Sequence, residues 1–200
     1  MKMLPFISDI NLEYEKFGIK MQQNNYALPL INELLINTRP DLIIEFGART
    51  GGLSVFLGMY SYYNNIEFIT YEHDSASKPL KYADILNFLK VNIKYEDIFN
   101  QEVINFIEHK MENKKTILLC DAGKTSEFNI YSNFMKRGDI ILAHDYVYDD
   151  ADFEEIKKQN IWWHKEVEYK DIKDAILLNN LKEIDRELFK GSAWGVFMKI

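Results

Sequence analysis

The stretch "RPDLIIEFGARTGGLS", residues 39–54, decides how this chain is read. Its first half is a short apolar run ending in an acid, the composition of a strand buried on both faces. Its second half spaces its residues as E-x-G-x-x-x-G-G, from Glu45 through Gly47 to Gly51 and Gly52. Glycines at such a point let a turn tighten and let backbone approach a ligand before a helix begins. A glycine-rich turn without a ligand is the alternative. The spacing differs from the dinucleotide G-x-G-x-x-G, and the acid before the first glycine suits a cationic or hydroxyl-bearing ligand better than a pyrophosphate. Dinucleotide binding is disfavoured.

Outward from this stretch the same alternation repeats. Buried strands are expected at 41–46, 66–72, 91–96, 115–121 and 139–145, each rich in Ile, Leu or aromatics and all but the first ending in a polar residue. Helices are expected over 51–63, 78–90, 100–111 and 126–138, the last closed by Gly138 at its C′ position. An amphipathic helix over 26–37, with Leu28, Ile31, Leu34 and Leu35 on one side, precedes the first strand. A long helical stretch, 171–189, leads to a last strand at 192–200, which is expected to be antiparallel. The fold class is therefore α/β: a Rossmann-like, doubly wound, mostly parallel sheet of seven strands with helices on both faces. A single domain, 1–200, is expected. It divides into an N-terminal helical cap (1–38), a cofactor-binding core (39–146), a lid or substrate region (147–190) and the last strand (191–200).

Composition narrows the class. Two hundred residues, 47% of them hydrophobic and 14% aromatic, suffice for one sizeable core. A net charge of −7 disfavours nucleic-acid partners. The single Cys120 permits no internal disulfide and reads as a small apolar strand residue. No apolar run approaches the roughly 20 residues of a membrane span, and the acid-rich start lacks the apolar stretch of a signal peptide. A cytoplasmic protein with a small-molecule substrate is expected, and a homo-oligomer stays open.

The strand ends carry the chemistry. Glu72, about 20 residues past the glycine turn, stands where a carboxylate accepts a ribose diol, followed by His73 and Asp74. Asp97, after Glu96, is a candidate for an adenine amino group, with Ile98 or Phe99 beside the ring. The fourth strand ends in "CDAGKTS", 120–126, whose Gly-Lys-Thr imitates the end of a P-loop. That motif needs a glycine five residues earlier, where this chain has Leu118, so triphosphate binding is not supported. Asp121 and, on the fifth strand, His144 and Asp145 would instead lie side by side. Two acids brought together repel unless solvated, protonated or bridged by a cation. The alternative is that each acid caps the helix that follows it.

These motifs together resemble class I S-adenosylmethionine-dependent methyltransferases, over residues 26–146 and again at "SAWGVFMK". The stretch 39–54 is similar to the group containing cephalosporin-hydroxylase-like proteins and macrocin-type sugar O-methyltransferases. The resemblance implies S-adenosylmethionine contacts from Glu45, Gly47, Ala48, Arg49, Gly51, Gly52, Ser54, Glu72, His73, Asp97, Ile98 and Asp121. It also implies a divalent cation, Mg2+ or another, on Asp121, His144 and Asp145. His144 stands where such relatives carry an acid, which implies weaker Mg2+ affinity, a softer ion, or no metal and His144 as base. Lys124, three residues past Asp121, matches the catechol-type base, a role for which a pKa lowered by a neighbouring bound cation is expected; a solvated helix-start lysine is the alternative. The implied reaction is O-methylation of a hydroxylated metabolite or sugar, with Lys124, His144 and Asp145 as catalytic residues. Same-fold hydroxylases or hydrolases, and a non-catalytic adenosyl-binding subunit, are the rivals. Tyr146, Tyr148, Trp162 and Trp163 are candidates for a substrate pocket or lid unless they are core. Residues 17–26 are candidates to fold over the cofactor.

Overall fold

In a computed structural model the described residues are 14–16, 18–24, 26–73, 81–159, 162 and 164–200. Expectations for Phe17, Trp163 and residues 74–80 fall outside them. The described residues begin with a hairpin of β1 (Tyr14–Lys16) and β2 (Ile19–Met21), then α1 (Ala27–Thr38). Within the expected N-terminal helical cap, the described residues form a hairpin followed by a helix. Leu28, Ile31, Leu34 and Leu35 are the buried side of α1, as their spacing requires. The helix stops where Arg39 turns left-handed and Pro40 follows, since proline can neither donate to the helix ladder nor continue it.

The core alternates as expected through β3 (Leu42–Phe46), α2 (Gly52–Asn64), β4 (Glu67–Glu72), α3 (Ala83–Phe88), β5 (Asn92–Tyr95), α4 (Gln101–Met111), β6 (Thr116–Cys120), α5 (Lys124–Tyr131) and β7 (Ile140–His144). A short strand β8 (Tyr146–Val147), helix α6 (Asp150–Lys158), strand β9 (Val167–Glu168), helix α7 (Tyr169–Leu178), strand β10 (Leu181–Glu183), helix α8 (Arg186–Phe189) and strand β11 (Trp194–Lys199) follow. One seven-stranded sheet runs in the order β10-β11-β7-β6-β3-β4-β5. Strands β7, β6, β3, β4 and β5 are parallel; β11 is antiparallel to β7. The chain fills one side of β3 with β4 and β5, then returns to fill the other with β6 and β7. Their carboxyl ends, Phe46 beside Tyr71 and Cys120, Cys120 beside Ala143, lie together at this reversal, the point where open α/β sheets bind their ligands.

Side-chain alternation along the strands builds two cores. Ile43, Ile117, Leu119 and Leu142 face α1, α2 and α3, while Leu42, Ile44, Leu118 and Ile141 face α4, α5 and α7. Helices therefore cover both faces.

Three local expectations are corrected. The stretch 171–189 is not one helix: Asn180 adopts a left-handed φ of 46°, α7 ends, and Leu181 turns inward to pair with Lys199 as the seventh strand. The helix expected from Ser126 starts two residues earlier, at Lys124, and ends at Tyr131 with a 3-10 turn over Ser132–Phe134. Gly138 is accordingly not its C′ residue; with φ +90° it turns the chain into β7. The helix expected over 78–90 is described as 83–88, its first residues lying outside the described set.

Candidate active site

Gly47, with φ +88°, leaves β3 so close to the start of the β6 loop that a β-carbon would lie 2.6 Å from the Asp121 carbonyl oxygen. Only glycine lets these two loops touch, and the contact is fixed by the Asp121 N–H donating to the Phe46 carbonyl at 3.0 Å. Gly52, the first residue of α2, is covered by the backbone of Lys20, which would collide with any side chain there. Residues 18–24 thus lie across the glycine turn. Gln22 reaches Arg49 at 3.3 Å.

Glu45 and Ser54 stand behind this turn. The Glu45 carboxylate is buried in the sheet, accepting from Ser54 Oγ at 2.5 Å and Thr70 Oγ1 at 2.7 Å. Burial pushes its pKa up to about 7, against the lowering effect of the two hydroxyls. On the β4 side, Glu72 accepts the backbone N–H of Arg49 at 2.5 Å and that of His73 at 3.1 Å. Ala48 is buried within the turn. Asp97 accepts the Phe99 N–H at 2.9 Å, and the carbonyl of buried Ile98 accepts the Tyr131 hydroxyl at 2.5 Å. Gly51, left-handed at φ 84°, caps α2.

On the other side of the reversal, Asp121, His144 and Asp145 converge, each offering a ligand atom within 4.8 Å of the others. His144 Nδ1 lies 2.7 Å from Asp121 Oδ1 and 3.4 Å from Asp145 Oδ2. It is buried, yet directed along a hydrogen bond to neither. Adjacent ligands of a six-coordinate ion with bonds of about 2.1 Å stand about 3 Å apart. A buried nitrogen without a directed partner between two carboxylate oxygens at such spacings fits a cation site. Asp145 adopts φ 52° to bring its carboxylate there.

Charge is nearly balanced around the cluster. Lys124 Nζ pairs with Asp145, with Glu166 at 2.9 Å and with Asp121 at 3.8 Å. Burial works against its charge, but the Asp145 hydrogen bond and the nearby carboxylates outweigh burial and raise its pKa. In this structure the carboxylates keep Lys124 an ammonium, whereas the lowered pKa is expected beside a bound cation. His144 behaves alike. Burial opposes its protonation, and Asp121 and Asp145 reverse that to give a pKa of about 9. Burial would raise the Asp145 pKa, whereas His144 and Lys124 hold it well below the usual range.

Two members of the site escaped sequence reasoning. Glu166, joined to His164 at 2.8 Å, closes the far side of Lys124, and no motif marks it. Gln23 reaches Asp121 Oδ2 at 3.2 Å, from a segment singled out without naming a residue. The aromatics fall mostly in the core: Tyr146 and Trp162 are buried, and Tyr148 stacks on Tyr169. Helix α6 and Trp162 pack with Val147 and Ala193 as a separate small core.

A glycine turn at the end of the first core strand, acids at the next two strand ends and an Asp/His/Asp cluster across the reversal define a class I S-adenosylmethionine-dependent methyltransferase. The chain belongs to the rhamnosyl O-methyltransferase/CmcI family, whose model matches residues 10–174. Among solved structures it is similar to CmcI without ligand, at 14% identity and a TM-score of 0.63, over 94% of this chain and 76% of that one. The structure of CmcI with Mg and SAM gives 15% and 0.62 over the same shares. CalS11, a TDP-rhamnose 3'-O-methyltransferase of calicheamicin biosynthesis, gives 12% and 0.54, over 86% of this chain and 77% of that one. At these identities the likeness establishes the fold. No curated protein matches in sequence.

Proposed function

We propose that this protein transfers a methyl group from S-adenosylmethionine to an oxygen of a small hydroxylated metabolite or sugar, assisted by a divalent cation. The observation that carries the proposal is the convergence of Asp121, His144 and Asp145 around an undirected buried nitrogen, at the strand ends opposite the glycine turn. Family membership and the likeness to CmcI with Mg and SAM and to the sugar methyltransferase CalS11 support it.

Asp121, His144 and Asp145 would hold the cation, with Mg2+ the first candidate. When bound, S-adenosylmethionine supplies the methyl group and the cation supplies Lewis-acid acidification of the acceptor hydroxyl. The protein supplies alignment, which is most of what an in-line methyl transfer requires. The glycine turn, with Ala48 and Arg49, would line the methionine side of the donor, with Glu45 and Ser54 supporting it from behind. Glu72 and His73 would receive the ribose, and Asp97 and Ile98 the adenine. Glu72 now holds the Arg49 and His73 N–H groups, so the same carboxylate both shapes the turn and remains an acceptor for a diol. Lys124 is assigned to take the hydroxyl proton at Nζ. Its surrounding carboxylates hold it charged, so a further positive charge in the cluster is what would release its proton. Residues 147–190 would form the substrate side, and residues 18–24 the cover that keeps water out. No helix of the described residues is long and apolar enough to cross a membrane; a cytoplasmic location remains part of this proposal, as does a small-molecule partner.

Titration calorimetry with S-adenosylmethionine tests the reading. Binding in the micromolar to submillimolar range is expected. No heat and no thermal shift at millimolar ligand would reject the methyltransferase assignment.

A further inference from the structure

Gln23 is nearly fully buried although it belongs to no helix or strand. Its side chain bridges two elements far apart in sequence. The indole N–H of Trp194 donates to Gln23 Oε1 at 2.8 Å, and Gln23 Nε2 donates to Asp121 Oδ2 at 3.2 Å. An indole nitrogen can only donate, so the orientation of the amide is fixed: oxygen toward Trp194, NH2 toward Asp121. The consequence falls on the carboxylate. With Oδ2 engaged by Gln23, Oδ1 is the oxygen turned to His144 Nδ1.

Trp194 acts on the same cluster from its other side. It is the cross-strand partner of His144, and its ring packs on the imidazole with centroids 4.5 Å apart. One tryptophan thus supports His144 directly and Asp121 through Gln23. The segment that delivers Gln23 is itself fastened: Lys20 N–H donates to the Tyr82 hydroxyl at 2.8 Å, and Asn24 Nδ2 to the Gly191 carbonyl at 3.0 Å.

We propose that Gln23 is a positioning residue for the cation cluster, setting through Trp194 which oxygen of Asp121 faces the ion, so that the site is complete only with the segment 18–24 in place. The inference rests on the cation reading above.

Mn2+ binding to the full chain, followed by electron paramagnetic resonance and calorimetry without donor or acceptor, tests it. Gln23→Leu keeps the volume and removes both hydrogen bonds; its affinity for Mn2+ should fall about tenfold while the thermal midpoint moves little. Trp194→Phe keeps an aromatic ring on His144 but frees the amide to turn, and should weaken binding in the same direction by about threefold. In the double variant the losses should not add, because both act through one bridge. Wild-type affinity in Gln23→Leu, or additive losses, would overturn the proposal. If Gln23→Leu fails to fold, Trp194→Phe decides alone, with unchanged affinity as the overturning result. A wild-type protein that takes up no Mn2+ would defeat the cation reading and this inference with it, an outcome distinct from equal binding by wild type and variant.

Discussion

Lys124 shows how far one residue's chemistry depends on its neighbours. A lysine three residues past Asp121 reads from sequence as a base in waiting, but Asp145, Glu166 and Asp121 gather on its ammonium and raise its pKa. The carboxylates come from strand ends and a loop up to 42 residues away, so no local motif announces them. Replacing a residue that moves a proton in the transition state typically lowers rate by about 10²–10⁴-fold. Lys124→Met should therefore lower turnover by about a hundredfold or more while S-adenosylmethionine affinity, measured by calorimetry, stays within about twofold. An unchanged rate would assign the proton to His144 or to water.

At the scale of elements, the strands were legible because each is a short apolar run buried on both faces: β3 and β6 have no exposed residue. Helix α1 was legible from the spacing of Leu28, Ile31, Leu34 and Leu35. Strand β10 was not, because Leu181–Glu183 is three residues of edge strand within a helical apolar pattern, and Asn180 breaks the helix by adopting a left-handed conformation that asparagine tolerates. The position of the hairpin was likewise hidden, since what seats it is the missing side chain of Gly52. Gly52→Ala should push β2 off the start of α2. Hydrogen exchange at residues 18–21 should quicken by at least tenfold, while β3 and β6 keep their protection. Unchanged protection of the hairpin would show that Lys20 does not rest on that glycine.

At the scale of the whole molecule, buried acids set how stability responds to pH. Burial raises Glu45 to about 7, and burial raises Glu127 to about 7 as well, against hydrogen bonds from the Gly123 and Ala122 N–H groups. Both therefore bind protons in the folded state that the unfolded chain has already released above its ordinary carboxylate pKa. Between about pH 4.5 and 7 the folded state holds more protons, so stability falls as pH rises. His144, raised to about 9, adds the same sign: its contribution is complete below about 6.5 and is lost as pH climbs through 9. Asp145, held below its ordinary value, contributes stability that is lost only in stronger acid. Urea denaturation should find the protein more stable near pH 5 than near pH 8. Glu45→Gln, which keeps an acceptor for Ser54 and Thr70, should remove part of that slope and stabilise the protein at pH 8 by up to about 3 kcal/mol. A flat profile between pH 5 and 8 would contradict these assignments. The global α/β plan was readable from the order of patterns alone, whereas this titration behaviour needed the packing of Glu45 behind α2 and of Glu127 beneath the β6 loop.

The reversal of strand order at β3 divides labour along the chain. Apart from Asp121, everything proposed to grip the donor, from Glu45 to Ile98, precedes β6, while the cation cluster and the acceptor side come from β6 onward, apart from Gln23. Acceptor preference can therefore drift through changes after residue 121 without disturbing donor recognition. A hybrid joining this chain's first half to a relative's second half should inherit the relative's acceptor, provided residues 18–24 are exchanged along with it.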